Sequence, residues 1–73
     1  SLSYDLERMM SELTPQQQDV ISLRFGLKDG QSLTLAKIGE VLNISRERVR
    51  QIEREALSKL RKSKATMNEY LAS

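Results

Sequence analysis

Arg46, Glu47, Arg50, Gln51 and Arg54 are the residues of this sequence whose types and spacing could do chemistry on a partner. Wound into an α-helix at about 100° per residue with Arg46 as origin, Arg50 falls near 40°, Arg54 near 80°, Glu47 near 100° and Gln51 near 140°. All five share one face. Their chemistry is that of reading base edges in a duplex. An arginine fork can donate two bonds to guanine O6 and N7, a glutamate can accept from cytosine N4, and a glutamine can pair with adenine N6 and N7. Arg46, Glu47 and Gln51 are therefore the candidate base readers. A helix built only for phosphates would have little use for Glu47; the plainer account of that residue is a first-turn carboxylate favoured by the helix dipole, worth about 0.3–1 kcal/mol. Arg48 falls near 200°, off the shared face, where it would meet DNA backbone or another protein.

Such a face must be held by a buried flank. Val49, Ile52, Ala56 and Leu60 fall between roughly 240° and 320°, on the opposite side. Ser45 is a good cap for this helix, which should run from Arg46 to about Lys62. Ahead of it Thr34 caps a short helix carrying Leu35, Ile38, Val41 and Leu42 on one side and ending at Asn43, a residue that tolerates left-handed backbone angles. From Leu35 to Arg54 the chain thus fits a helix-turn-helix. Its core is Ile38 and Leu42 facing Val49 and Ile52, with Ile44 plugging the corner and Gly39 small where a crossing helix approaches. Further upstream Thr14, Pro15 and Gln17 form a helix start signal with a capping box. Val20, Ile21 and Leu23 supply that helix's buried stripe, Phe25 lies at its end, and Gly26 stops it, with Leu27 folding back. Leu2, Leu6, Met9, Met10 and Leu13 predict a first helix over Asp5–Leu13. Lys28–Ser32 is turn chemistry, and no alternating strand pattern flanks its Asp29-Gly30 pair. Thr66-Met67-Asn68-Glu69 reads as a capping box opening a last turn or two within a tail of residues 63–73, with Met67, Tyr70 and Leu71 on the core. The expected fold is all-α: one domain over residues 1–73, of four or five helices around a helix-turn-helix.

Composition narrows the function classes. The 73 residues are 38% apolar and 30% charged, with neither Cys nor His. A chain this short makes one small core, burying about 60% of its unfolded surface, and an enclosed active site is not expected. Disulfides, thiolate or imidazole metal sites and His-based catalysis are excluded by residue type. Acid–base groups spread over exposed helices lack a convergent, desolvated pocket, so neither catalysis nor a cofactor is expected. No apolar run approaches the roughly 20 residues that cross a bilayer, and the opening Ser1-Leu2-Ser3-Tyr4-Asp5 has no basic-then-apolar leader. The net charge of +2 conceals a segregation: residues 1–44 carry four basic and six acidic side chains, whereas residues 45–64 carry eight basic and three acidic. A field so concentrated suits a polyanion, through phosphate neutralisation and counterion release, although charged helices also serve simply as solvated faces. Arg54 joins this field. Lys59, Arg61, Lys62 and Lys64 come where a helix would leave the groove and suit phosphates or an acidic partner.

Leu13-Thr14-Pro15, Leu23-Arg24-Phe25-Gly26-Leu27, Leu33-Thr34-Leu35, the string Ser45-Arg46-Glu47-Arg48-Val49-Arg50-Gln51-Ile52-Glu53, then Ala56-Leu57 and Lys59-Leu60-Arg61 carry a family likeness. They resemble region 4 of bacterial sigma-70-type transcription initiation factors, primary or closely related, over about Leu13 to Arg61. The resemblance implies a domain that reads the −35 promoter element as duplex DNA while held to RNA polymerase core by a flexible flap of the β subunit. By position it implies base contacts from Arg46, Glu47 and Gln51 and a phosphate contact from Arg50; Arg54, Lys59 and Lys62 are the further phosphate candidates. It also implies an apolar groove for the flap, with Val20, Ile21, Leu23, Phe25 and Val41 as candidates. Activators or anti-sigma proteins would approach near Arg48, Arg54 and Arg61, and the setting would be the bacterial cytoplasm or a plastid stroma. The alternative is a module that mainly binds a regulator or polymerase subunit. Two departures stand out: Glu55 and Ser58 occupy positions that are often basic in the activator-facing patch, and the chain continues past Arg61 without the usual proline.

Overall fold

Thr14 and Gln17 start a helix by satisfying each other. In the computed structural model, which describes the backbone of residues 2–72 and the side chains of residues 7–63, the Gln17 amide donates to the Thr14 hydroxyl at 3.2 Å and the Thr14 amide to Gln17 Oε1 at 3.0 Å. Two N–H groups that a helix start leaves without partners are thereby paired, and Pro15 follows where no donor is needed. This helix, α2, runs Pro15–Phe25, after α1 (Leu2–Ser11) and before α3 (Leu35–Leu42) and α4 (Arg46–Ala72). The fold is all-α, with four helices and no strand among the described residues.

Gly26 ends α2 at φ 63°, and the Gly26 and Leu27 amides both donate to the Ser22 carbonyl. A Cβ on Gly26 would lie 2.9 Å from the Gln31 backbone nitrogen, because the loop doubles back over the helix end. The Leu33 amide then donates to the Leu23 carbonyl at 3.0 Å, delivering the chain to the Thr34 cap of α3. Leu27 folds back through its amide bond to the Ser22 carbonyl, while its side chain stays 46% exposed.

Two apolar clusters share α2 and α4. Val20, Ile38, Val49 and Ile52 are buried together where α2, α3 and α4 meet, with Leu23, Leu33, Leu35, Leu42 and Ile44 around them. Leu13, Ile21 and Ala56 form the second, with Met10, Leu57 and Leu60 packed against it. Arg24 braces the joint: its Nε donates to Glu53 Oε2 at 3.1 Å and its Nη1 to the Leu33 carbonyl at 3.0 Å. One side chain thus links the end of α2, the loop and α4.

The C-terminal end corrects the sequence reading. No new helix opens at Thr66; α4 is continuous from Arg46 to Ala72. Residues 61–69 contain neither proline nor glycine, so nothing interrupts the ladder, and Ser, Thr or Asn caps a helix only where the backbone has already left it. The expected packing of Met67, Tyr70 and Leu71, and of Leu2 and Leu6, lies outside the described side chains. The first helix begins earlier than expected, at Leu2, and ends at Ser11 rather than Leu13.

Candidate nucleic-acid interface

The turn before α4 aims the helix. Asn43 takes φ 59°, the one non-glycine residue at positive φ among those described. The Ile44 amide donates to the Gly39 carbonyl at 2.9 Å, and the Arg48 amide donates to Ser45 Oγ at 3.0 Å, capping α4. A Cβ on Gly39 would lie 2.7 Å from the Ile44 carbonyl oxygen. The small residue is therefore required first by the turn's own backbone, with the start of the crossing helix next: the Arg46 backbone nitrogen of α4 would lie 3.5 Å from the added carbon. Val49, Ile52 and Ala56 are buried on one flank of α4, while Arg46, Glu47, Arg50, Gln51 and Arg54 are all exposed on the other.

The exposed groups are organised among themselves. Arg50 grips both oxygens of Glu47, its Nη2 donating to Oε1 at 2.6 Å and its Nε to Oε1 and Oε2 at 3.2 and 3.1 Å. This bond, opposed next by the cost of desolvation and then helped by the positive fields of Arg50, Arg46 and Arg54, holds the Glu47 carboxyl below the usual glutamate range, and it raises the Arg50 guanidinium. A depressed carboxylate contributes above its unfolded pKa and loses that contribution as pH falls through the folded one. A titration of the Glu47 side-chain carbonyl by NMR should accordingly show a midpoint below the usual range, and Arg50→Ala should move it back up. A midpoint indifferent to Arg50→Ala would mean that the pair does not form in solution. Beside it, Arg48 Nη1 donates to Gln51 Oε1 at 3.4 Å, a longer bond.

Other candidates fall elsewhere. Lys59 is not available as a phosphate contact in this arrangement: its Nζ donates to Oε1 of the buried Gln17 at 3.0 Å, on the side of α4 that meets α2. Its helical angle, near 220° from Arg46, already lay off the reading face. Arg54 and Lys62 are exposed. Val20 and Ile21, at 0% and 3% exposure, are core and cannot form a surface groove. Phe25 and Val41 are exposed at 51% and 54%, and Leu23 is half-buried. Val41 lies at the rim of the α3 stripe, about 60° beyond Ile38 on the helical wheel. Among residues to which the sequence reading gave no role, Arg24 and Glu53 brace α4; Leu27, expected to fold back, leaves its side chain as exposed apolar surface. A shallow groove lined by Met9, Leu57, Leu60 and Arg61 opens between α1 and α4. No cluster of acidic side chains suited to a metal occurs among the described residues, and no helix there is long and apolar enough to cross a membrane.

Residues 9–62 match the family model for sigma-70, region 4. The RNA polymerase sigma factor SigA2 of Synechococcus elongatus is 60% identical over 73 residues, covering the whole of this chain and 23% of that protein. An RNA polymerase sigma-C factor of Nostoc sp. is 51% identical over 75 residues, again covering the whole chain, and SigA of the same organism is 46% identical over 72 residues, covering 96% of it. The chain spans 18% of the length of each of these two Nostoc relatives.

Proposed function

The chain belongs to the sigma-70 region 4 family, and from that premise we propose that it recognises the −35 promoter element as duplex DNA, acting within RNA polymerase at transcription initiation. The observation that carries this reading is the pairing of exposed Arg46, Glu47 and Gln51 with a fully buried flank of Val49, Ile52 and Ala56 in the first turns of α4. A recognition helix contacts bases from that end. Arg46 would meet a guanine, Glu47 a cytosine amino group and Gln51 an adenine. Arg50 and Arg54 would reach phosphates beside them, and Lys62 further along. The family relation supports polymerase core as partner. For the β-subunit flap, the apolar side chains that can take part are Phe25 and Val41 with half-buried Leu23.

A single module of this kind buries about 600–1,000 Å² on DNA, so the isolated chain should bind weakly, and attachment to polymerase would supply effective concentration. The domain would act without chemistry of its own, where promoter DNA resides in a bacterial cell. Arg46→Ala should weaken binding to the preferred duplex by about 1–3 kcal/mol and relax preference at one base pair. Fluorescence anisotropy on preferred and scrambled duplexes tests this; an equal loss on both would remove base reading by Arg46.

A further inference from the structure

Glu47 is a carboxylate that the proposed function offers to a polyanion. Alone, a glutamate on an exposed helix face samples several rotamers and carries a charge that phosphates repel. Here neither holds, since both carboxylate oxygens are gripped by the Arg50 fork at 2.6–3.2 Å. A guanidinium carries five N–H donors. Nε–H and one Nη2–H serve Glu47, which leaves three, two of them side by side on the Nη1–Nη2 edge. The carboxylate in turn keeps lone pairs that the fork does not use.

Resting on the proposed duplex reading, we infer that Arg50 is a specificity-determining positioning residue, gripping Glu47 with one edge and a phosphate with the other, so that the two residues read one base pair as a unit. Arg50 is then more than a phosphate contact. It cancels the charge of the reader and aims it, using the duplex backbone as the fixed reference. Lysine could neutralise the same phosphate but could not hold a carboxylate by a planar fork.

The test uses the duplex preferred by the unmodified chain together with its single-base-pair variants, measured by anisotropy at several salt concentrations. Glu47→Gln identifies the base pair that Glu47 reads. Arg50→Lys should then keep the salt dependence nearly unchanged, lose most of the discrimination at that base pair, about tenfold where one good contact is at stake, and keep discrimination at the pair read by Arg46. The double variant Glu47→Gln/Arg50→Lys should discriminate no worse than either single one. Both sites are exposed, and unchanged thermal melting would show that the variants fold. Uniform weakening on every duplex with all base preferences intact would overturn the inference and reduce Arg50 to a phosphate contact. An unmodified chain that prefers no duplex would overturn the promoter reading itself, before Arg50 is altered.

Discussion

Ile38→Ala should cost about 2–5 kcal/mol of folding stability, the usual range for emptying a fully buried aliphatic site. Ile38 is 0% exposed and sits in the cluster with Val20, Val49 and Ile52, so its side chain is shared by three helices. The loss is large relative to the whole: a chain of 73 residues has roughly 4–11 kcal/mol to lose at about 0.05–0.15 kcal/mol per residue. Each kcal/mol lowers the melting midpoint of so small a domain by about 4–8 °C. Urea melting should show the drop, with Ile38→Val costing only about 0.5–1.5 kcal/mol as the graded control. A cost under 1 kcal/mol for the alanine variant would show that the joint between α3 and α4 does not depend on this side chain. DNA binding should fall in step with the folded fraction, because the reading face has no support once the flank loosens.

Gly39→Val should be comparably damaging, at about 3 kcal/mol or more. The first carbon added would lie 2.7 Å from the Ile44 carbonyl oxygen, a backbone atom that cannot swing aside as a side-chain tip would. That carbonyl belongs to the turn residue just before the Ser45 cap, so making room displaces the start of α4. Gly39→Ala sets two effects against each other, since alanine returns about 1 kcal/mol of helix propensity while the same contact remains. It should be the milder variant and still destabilising. Melting curves on both, with the Arg48 amide shift as a reporter of the Ser45 cap, decide it; either variant matching or exceeding the parent stability would show that the turn yields.

Much of this architecture was legible because its signals are local. The Thr14–Gln17 capping box, the glycine stop at Gly26, the Thr34 cap, the left-handed Asn43 and the Ser45 cap each depend on residues a few positions apart, and all occur as read. The split of α4 into a buried flank and a polar face follows from its period alone. What sequence could not resolve depends on how separate elements meet. Apolar character does not distinguish Val20 and Ile21, which face the other helices, from Phe25 and Val41, which do not. The helical wheel already turns Lys59 off the reading face, but its partner Gln17 is set by the approach of α2, which no spacing shows. The Arg24–Glu53 pair spans 29 positions and has no periodicity to betray it. Thr66 carried a capping signal that the uninterrupted helix overrode. The carboxylate and guanidinium of Glu47 and Arg50 share a face on the helical wheel and take separate tasks from the family resemblance, and neither source shows their contact, because a wheel gives angle only.

The continuity of α4 has a mechanical corollary. Its 27 residues form one element from Arg46 to Ala72, roughly 40 Å at 1.5 Å per residue. A rod of that length is a lever. Pivoting it by about 5° around its first turn sweeps the opposite tip through roughly 3–4 Å. Force borne on the distal shaft would reach the arginine row as a change of pitch, with no joint between them to absorb it.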